Sequence, residues 1–224
     1  AVLLGVPLAF AFGAAMEWLL ISHLYKRNHL EQVLLTYGLI LIFEELRSLI
    51  IGNDVHGVPL PQILSGSIQL TDVQSYPVYR LVISGVCIVL AVGMYFLIQR
   101  TRLGMMIRAG NHDRTMVQAL GININQIYRL VFALGVALAM LSGLLAAPVS
   151  SVFPNMGSHV LIISFVVVVI GGIGSVWGAL LASLIIGFTD TFGKVFLPEL
   201  SGMLVYVVMA IVLLWRPEGL FSKS

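Results

Sequence analysis

Charge is what this chain has least of. Of its 224 residues only 10% are Asp, Glu, Lys or Arg, whereas a soluble domain carries about 25%. With 59% hydrophobic residues and a mean hydropathy of +1.02, the composition excludes an ordinary soluble globule and points to an integral membrane protein. Cysteine is nearly absent. Cys87 is the one cysteine, so no disulfide framework or cysteine metal centre can form within the chain. Inside an apolar run it reads as a small packing residue. The five histidines, His23, His29, His56, His112 and His159, have no ligand spacing such as i, i+4 on one helix, and no metal site is expected. No Gly-x-x-x-x-Gly-Lys-Ser/Thr occurs, so the chain binds no ATP by that route. Ser84-Gly85 and Ser142-Gly143 are present, but no histidine lies within a span to act as base, which argues against an intramembrane enzyme.

What is there is a succession of apolar runs. A membrane span needs about 20 mostly apolar residues. The runs are Ala1–Ile21, Val33–Ile51, Val78–Ile98, Leu130–Ala147, Val160–Thr189 and Gly202–Trp215. Pro148 closes the fourth, and Gly171-Gly172-Ile173-Gly174-Ser175 breaks the fifth. Each half of the broken run is about 20 Å long at about 1.5 Å per residue, short against a core of about 30 Å. It therefore forms either two short or tilted helices or a re-entrant hairpin. No strand alternation is long enough for a barrel. The expected fold is all-α, a polytopic transmembrane bundle with a Gly-broken helical hairpin, and residues 1–224 form one domain. Beginning at Ala1 within an apolar run, with neither a charged n-region nor a cleavage motif, the sequence reads as N-terminally truncated, starting in the middle of a membrane segment.

The exception to the scarcity of charge is residues 99–129. This polar stretch gathers Arg100, Arg102, Arg108, Arg114 and Arg129, five of the twelve Lys and Arg. Basic loops lie on the cytoplasmic side. Connector 52–77 then lies outside, and it has no Lys or Arg. Lys26, Arg27 and the tail with Arg216 and Lys223 fall inside. Lys194 alone is on the wrong side, flanked by Asp190 and Glu199. Within the loop, Asn111 suits an N-cap, with Asp113 in the first turn. Gly121 suits the C′ position, and Asn123 with Gln126 has capping-box spacing for the next span. A short helix over 112–120 results, whose apolar Met116, Val117, Ala119 and Leu120 need a partner. That partner is either the bilayer or bundle surface, or a groove in another protein.

Small residues recur every fourth position at Gly135, Ala139, Gly143 and Ala147, and again at Gly174, Gly178 and Ala182. Such ridges let helices approach closely. They serve packing within the bundle, a subunit interface or a helix lining a pathway. Charges within spans face a partner or a cavity. Glu44 and Arg47 are i, i+3 and can pair on one face. Thr36, Gly38 and Glu44 are candidates to line a translocation pathway, together with Gly171, Gly172 and Gly174, whose freed carbonyls suit a watery cavity.

Three stretches carry a family resemblance. GMMIRAGNHDRTMVQALGININ resembles the cytoplasmic loop of permease subunits of branched-chain amino acid ABC transporters. VVVIGGIGSVWGALLASLIIG resembles their Gly-rich signature, and LLWRPEGLF their Arg-Pro-x-Gly-Leu-Phe ending. The similarity covers essentially the whole chain, without the family's N-terminal Asn-Phe-Ala-His-Gly stretch. It implies an inner-membrane transport subunit of leucine/isoleucine/valine uptake, not an enzyme, that binds no cofactor itself. Arg108, Ala109, Asp113, Met116, Ala119, Leu120, Gly121, Ile122 and Asn123 would contact a separate cytoplasmic ATPase. The other implied partners are a second permease subunit, identical or homologous, a soluble substrate-binding protein outside, and the lipid bilayer; no nucleic acid is expected. Urea or short amides are the runner-up cargoes, since related permeases share these motifs. A secondary transporter or channel with broken helices is the other class, and would need no ATPase.

Overall fold

The computed structural model describes residues 2–24, 28–59, 66–71, 74–172, 174–216 and 219–220. They form two compact units, Ala1–Pro154 and Asn155–Ser224. Among the described residues the architecture is all-α apart from one hairpin. Among the described residues four helices are long and apolar enough to cross a membrane: Leu4–Leu24, Val78–Arg100, Ile124–Ser150 and Val176–Phe196.

In the first unit, α1 (Val2–Met16) runs through a π-helical turn, Glu17–Ile21, into α2 (Ser22–Leu24). α3 (His29–Ile51) follows. It is apolar and long, but Glu44, Glu45 and Arg47 interrupt it. The expected Glu44–Arg47 pair does not form. Arg47 instead donates to Gly52 O at 3.0 Å and to Asn53 Oδ1 at 3.2 Å. The last carbonyls of a helix lack intrahelical donors, and a cation there also suits the dipole. The connector after α3 holds a small antiparallel hairpin, β1 (Ser67–Thr71) and β2 (Gln74–Pro77), with Ser67 opposite Pro77 and a register shift between Gln69 and Thr71. α4 (Val78–Arg100) then leads to two short helices, α5 (Arg102–His112) and α6 (Arg114–Ala119), and to the long α7 (Ile124–Ser150).

α7 does not end at Pro148 but continues to Ser150. Proline removes one helix hydrogen bond and crowds the carbonyl four residues back, and in membrane helices neighbouring groups and local adjustments compensate. Here the Tyr79 hydroxyl of α4 donates to Leu145 O at 3.1 Å, beside the gap. α1 and α7 pack closely. A Cβ on Gly13 would lie 2.9 Å from Val136 Cβ and 3.0 Å from Ala133 Cα, and Ala9, Ala133 and Ala137 are buried. The ridge Gly135, Ala139, Gly143 faces away from this contact. All three are exposed, and a Cβ on Gly135 or Gly143 would meet nothing within 4 Å. Cys87, expected as a packing residue, lies exposed on α4. His56 and Val152 exchange two backbone hydrogen bonds of 2.9 Å, which ties the connector after α3 to the end of α7.

In the second unit, α8 (Met156–Gly171), α9 (Val176–Phe196) and α10 (Ser201–Trp215) surround the buried Val166, Ile170, Ala182, Ile186 and Val205. The Gly-rich break is a turn between separate helices. Gly172 (φ 88°) and Gly174 (φ 86°) take left-handed backbone conformations, which only glycine adopts at no cost. Ser175 caps α9, its Oγ accepting from Gly178 N at 3.0 Å. The ridge Gly178, Ala182 serves internal packing: both are buried, and a Cβ on Gly171 would lie 2.5 Å from Gly178 C.

Candidate functional site

The Arg-rich loop is built from caps. Thr101 opens α5, its Oγ1 accepting from Gly104 N at 3.2 Å. A Cβ on Gly104 would run into the Ile98 carbonyl, so glycine lets α5 fold straight back on the end of α4. Arg108 donates to that same Ile98 carbonyl, satisfying a helix C-terminus. Ala109 is exposed, and its carbonyl accepts from Asp113 N at 3.0 Å. The Tyr128 hydroxyl of α7 donates to Gly110 O at 3.4 Å, and Ile124, 1% exposed, lies under Gly110.

α6 starts later than expected. Asn111 stays within α5, and the cap is Asp113, whose Oδ1 accepts from Thr115 N (2.9 Å), Met116 N (3.0 Å) and the Thr115 hydroxyl (2.7 Å). A carboxylate that reaches the N2 and N3 donors and also faces the helix dipole makes the stronger cap. At the other end Gly121 takes φ 81°. Ile122 N donates to Val117 O at 3.3 Å and Gly121 N to Gln118 O at 3.0 Å, the hydrogen-bond pair of a Schellman motif. Asn123 then caps α7, its Oδ1 accepting from Gln126 N at 3.4 Å. Six residues of helix are thus bonded at both ends and joined to α7 without a flexible linker.

The faces of α6 divide its apolar residues. Val117 points inward and is 4% exposed. Met116 and Leu120, one turn apart, are 61% and 73% exposed, and Ala119 is exposed beside them. An apolar pair is thus held outward in the Arg-rich loop.

The other candidates are dispersed. Thr36 is exposed, its hydroxyl donating back to Gln32 O (3.0 Å) and Val33 O (2.9 Å). A Cβ on Gly38 would meet nothing within 4 Å, and Glu44 is half-buried. Gly171 and Gly172, in the second unit, are buried and Gly174 is exposed. Gly219 and Leu220 seat themselves on this turn. Leu220 N donates to Ile170 O at 2.8 Å, and a Cβ on Gly219 would lie 2.6 Å from Gly172 Cα. Two of the three motif stretches are therefore one joint. Towards the opposite ends of these helices, a pocket of about 240 Å³ is lined by His159, Ile163, Asp190, Lys194, Val205 and Tyr206. Lys194 Nζ pairs there with Asp190 Oδ2 at 2.6 Å.

Sequence reasoning missed one contact. Glu17 is fully buried in the π-helical turn, and its Oε2 accepts from Arg129 Nε of α7 at 3.0 Å. The available signal was that Glu17 is the single charged side chain of its apolar run, and that Arg129 closes the Arg-rich stretch directly before the next run.

The family described as branched-chain amino acid transport system / permease component matches residues 1–213. The high-affinity branched-chain amino acid transport system permease protein BraD of Pseudomonas aeruginosa is 30% identical, over 95% of this chain and 71% of its own length. The corresponding protein LivH of Escherichia coli K12 is 25% identical over 97% and 72%. The probable branched-chain amino acid transport permease LivH of Methanocaldococcus jannaschii is 25% identical over 97% and 73%. No solved structure matches the chain significantly. With a family match over nearly its whole length, and apolar helices long enough to span a bilayer, this chain belongs to the permease component family of branched-chain amino acid transport systems.

Proposed function

We propose that this chain is the membrane-spanning subunit of an ATP-driven importer of branched-chain or related amino acids, and that α6 is its contact with a cytoplasmic ATPase. The observation that carries this reading is the outward Met116–Leu120 pair on a helix bonded at both ends. A soft apolar helix face fits a hydrophobic groove. Because only residues 120–123 separate α6 from α7, and both helix ends are capped there, a displacement imposed on α6 reaches a span. Arg108 and Ala109 support it from α5, while Asp113, Gly121, Ile122 and Asn123 fix its ends. The chain itself binds no cofactor; ATP is used by the partner.

Sidedness supports the same assignment. With the loop inside, Lys26, Arg27, Arg100, Arg102, Arg108, Arg114, Arg129, Arg216 and Lys223 all fall at cytoplasmic ends, nine of the twelve Lys and Arg. This distribution supports a place in the cytoplasmic membrane with the C-terminus inside. The exposed ridge Gly135, Ala139, Gly143 supports a second permease subunit as neighbour, since small residues at an open face allow another helix to approach. Substrate would pass between the two subunits from a binding protein outside, with Thr36, Gly38, Glu44 and the Gly171–Gly174 turn as the residues to test along the route.

The test is co-purification of the ATPase with the permease. Met116→Asp and Leu120→Asp alter exposed positions, so the chain folds. We expect the ATPase recovered to fall at least tenfold at unchanged membrane abundance. Full recovery with both variants removes α6 from the interface. Amino acid uptake in the wild type without any ATPase moves the assignment to a secondary transporter.

A further inference from the structure

The Glu17–Arg129 contact has no work to do as glue. Gly13, Ala9, Ala133 and Ala137 already bring α1 and α7 into close packing. A carboxylate inside a span is costly, and a buried pair is often less stabilising than apolar residues of the same volume. This pair is also half-made. Glu17 Oε1 is buried and has no partner among the described residues. Arg129 meets the carboxylate through Nε alone, with its side chain 37% exposed. A guanidinium beside a carboxylate frequently forms a fork, two parallel N–H···O bonds.

The position of the pair explains what an unfinished fork is for. Arg129 is the only charged residue of α7. It stands on the first turns of that helix, next to the buried Ile124 and Ile127 and just beyond the Asn123 cap that follows α6. Glu17 lies in a π-helical turn, a local widening that is frequent at functional sites.

We propose that Glu17 and Arg129 are positioning residues for coupling, and that the pair has two settings. In the setting described here Arg129 holds Oε2 only. In the other, movement of α6 and the start of α7 closes the guanidinium onto both carboxylate oxygens and draws the π-helical turn of the first span with it. Coupling requires contacts that differ between two states, and Oε1 is the contact missing from this one. The inference rests on the importer reading above.

The experiment uses the assembled transporter in lipid, with its ATPase and binding protein. Glu17→Gln and Arg129→Lys keep shape and bulk but cannot form the charged fork. We expect amino acid transported per ATP hydrolysed to fall at least fivefold, with assembly and the concentration dependence on loaded binding protein unchanged. Variants that lose abundance but keep the wild-type transport-to-ATP ratio overturn the proposal, because a brace would behave so. A second measurement needs no charge variant. Spin labels at His23→Cys and Asn125→Cys, in a Cys87→Ala background, report the distance between the first span and the start of α7. We expect that distance to shift when a non-hydrolysable ATP analogue is added, and an unchanged distance overturns the two settings. If the wild type neither hydrolyses ATP nor transports amino acids, the importer reading itself fails, which the wild-type arm shows separately.

Discussion

Single residues here divide by whether their neighbours can move. A Cβ on Gly5 would meet the Met140 Cε methyl at 2.8 Å, the far end of a flexible side chain that can swing away. A Cβ on Gly219 would meet Gly172 Cα and N at 2.6 Å and Val169 O at 2.9 Å. That is backbone, and Gly219 also has φ 89°, where an L side chain is strained. Gly219→Ala is therefore expected to lift the Arg216–Leu220 ending off the α8–α9 turn and release the Leu220–Ile170 hydrogen bond. The cost is about 1–3 kcal/mol, as for other overpacking changes. Gly5→Ala should cost far less. Thermal unfolding in detergent, with protease cleavage near residue 216, checks both; an ending equally protected in Gly219→Ala removes the joint. This joint was not legible beforehand. The Gly-rich stretch and the Arg-Pro-Glu-Gly-Leu ending stand out separately, but nothing local says that one sits on the other. The same holds for Glu17 and Arg129, 112 positions apart.

Elements were legible where their determinants are local. Gly121 and Asn123 act on donors and acceptors within a few residues, so both caps stand where the sequence puts them. Asn111 and Asp113 are both good cap residues, and only the chain's path decides which one reaches the free donors. The ridge on α7 is the instructive case. Its fourfold spacing names a face of the helix but not what that face meets. Within this chain α1 meets Ala133 and Ala137 instead, and Gly135 and Gly143 stay open. Gly135→Leu and Gly143→Leu should then leave the thermal midpoint of the isolated subunit nearly unchanged, since no atom lies within 4 Å of the new Cβ. The same changes should weaken pairing with a second permease subunit by tenfold or more, measured as the fraction of dimer in lipid. A fall in the midpoint with pairing intact would mean that the ridge packs within the subunit.

The whole chain is best tested by sidedness, because every element-level reading depends on it. α8, α9 and α10 have 16, 21 and 15 residues, or about 24, 32 and 22 Å of helix. Only α9 matches a core of about 30 Å without tilt or local thinning. The order of helices nonetheless alternates cleanly. The connector after α3 is bonded to the end of α7 through His56 and Val152, so these two ends share one side, and the Arg-rich loop joining α4 to α7 takes the other. With the loop inside, Glu199 between α9 and α10 falls outside, and the three exceptions to the positive-inside rule are Arg47 and Arg80, at helix ends beside the outer connector, and Lys194, which is paired with Asp190. Gly57→Cys, Gln118→Cys and Glu199→Cys, each in a Cys87→Ser background, place one thiol in each segment. Removing Cys87 matters because it is exposed on α4. A membrane-impermeant maleimide added to spheroplasts should modify Gly57→Cys and Glu199→Cys and leave Gln118→Cys untouched until the vesicles are inverted. Labelling of Gln118→Cys from outside would reverse the chain and detach α6 from any cytoplasmic ATPase. Protection of Glu199→Cys alone would keep α6 inside and shift only the α9–α10 connection, and with it the tail seated on the glycine turn.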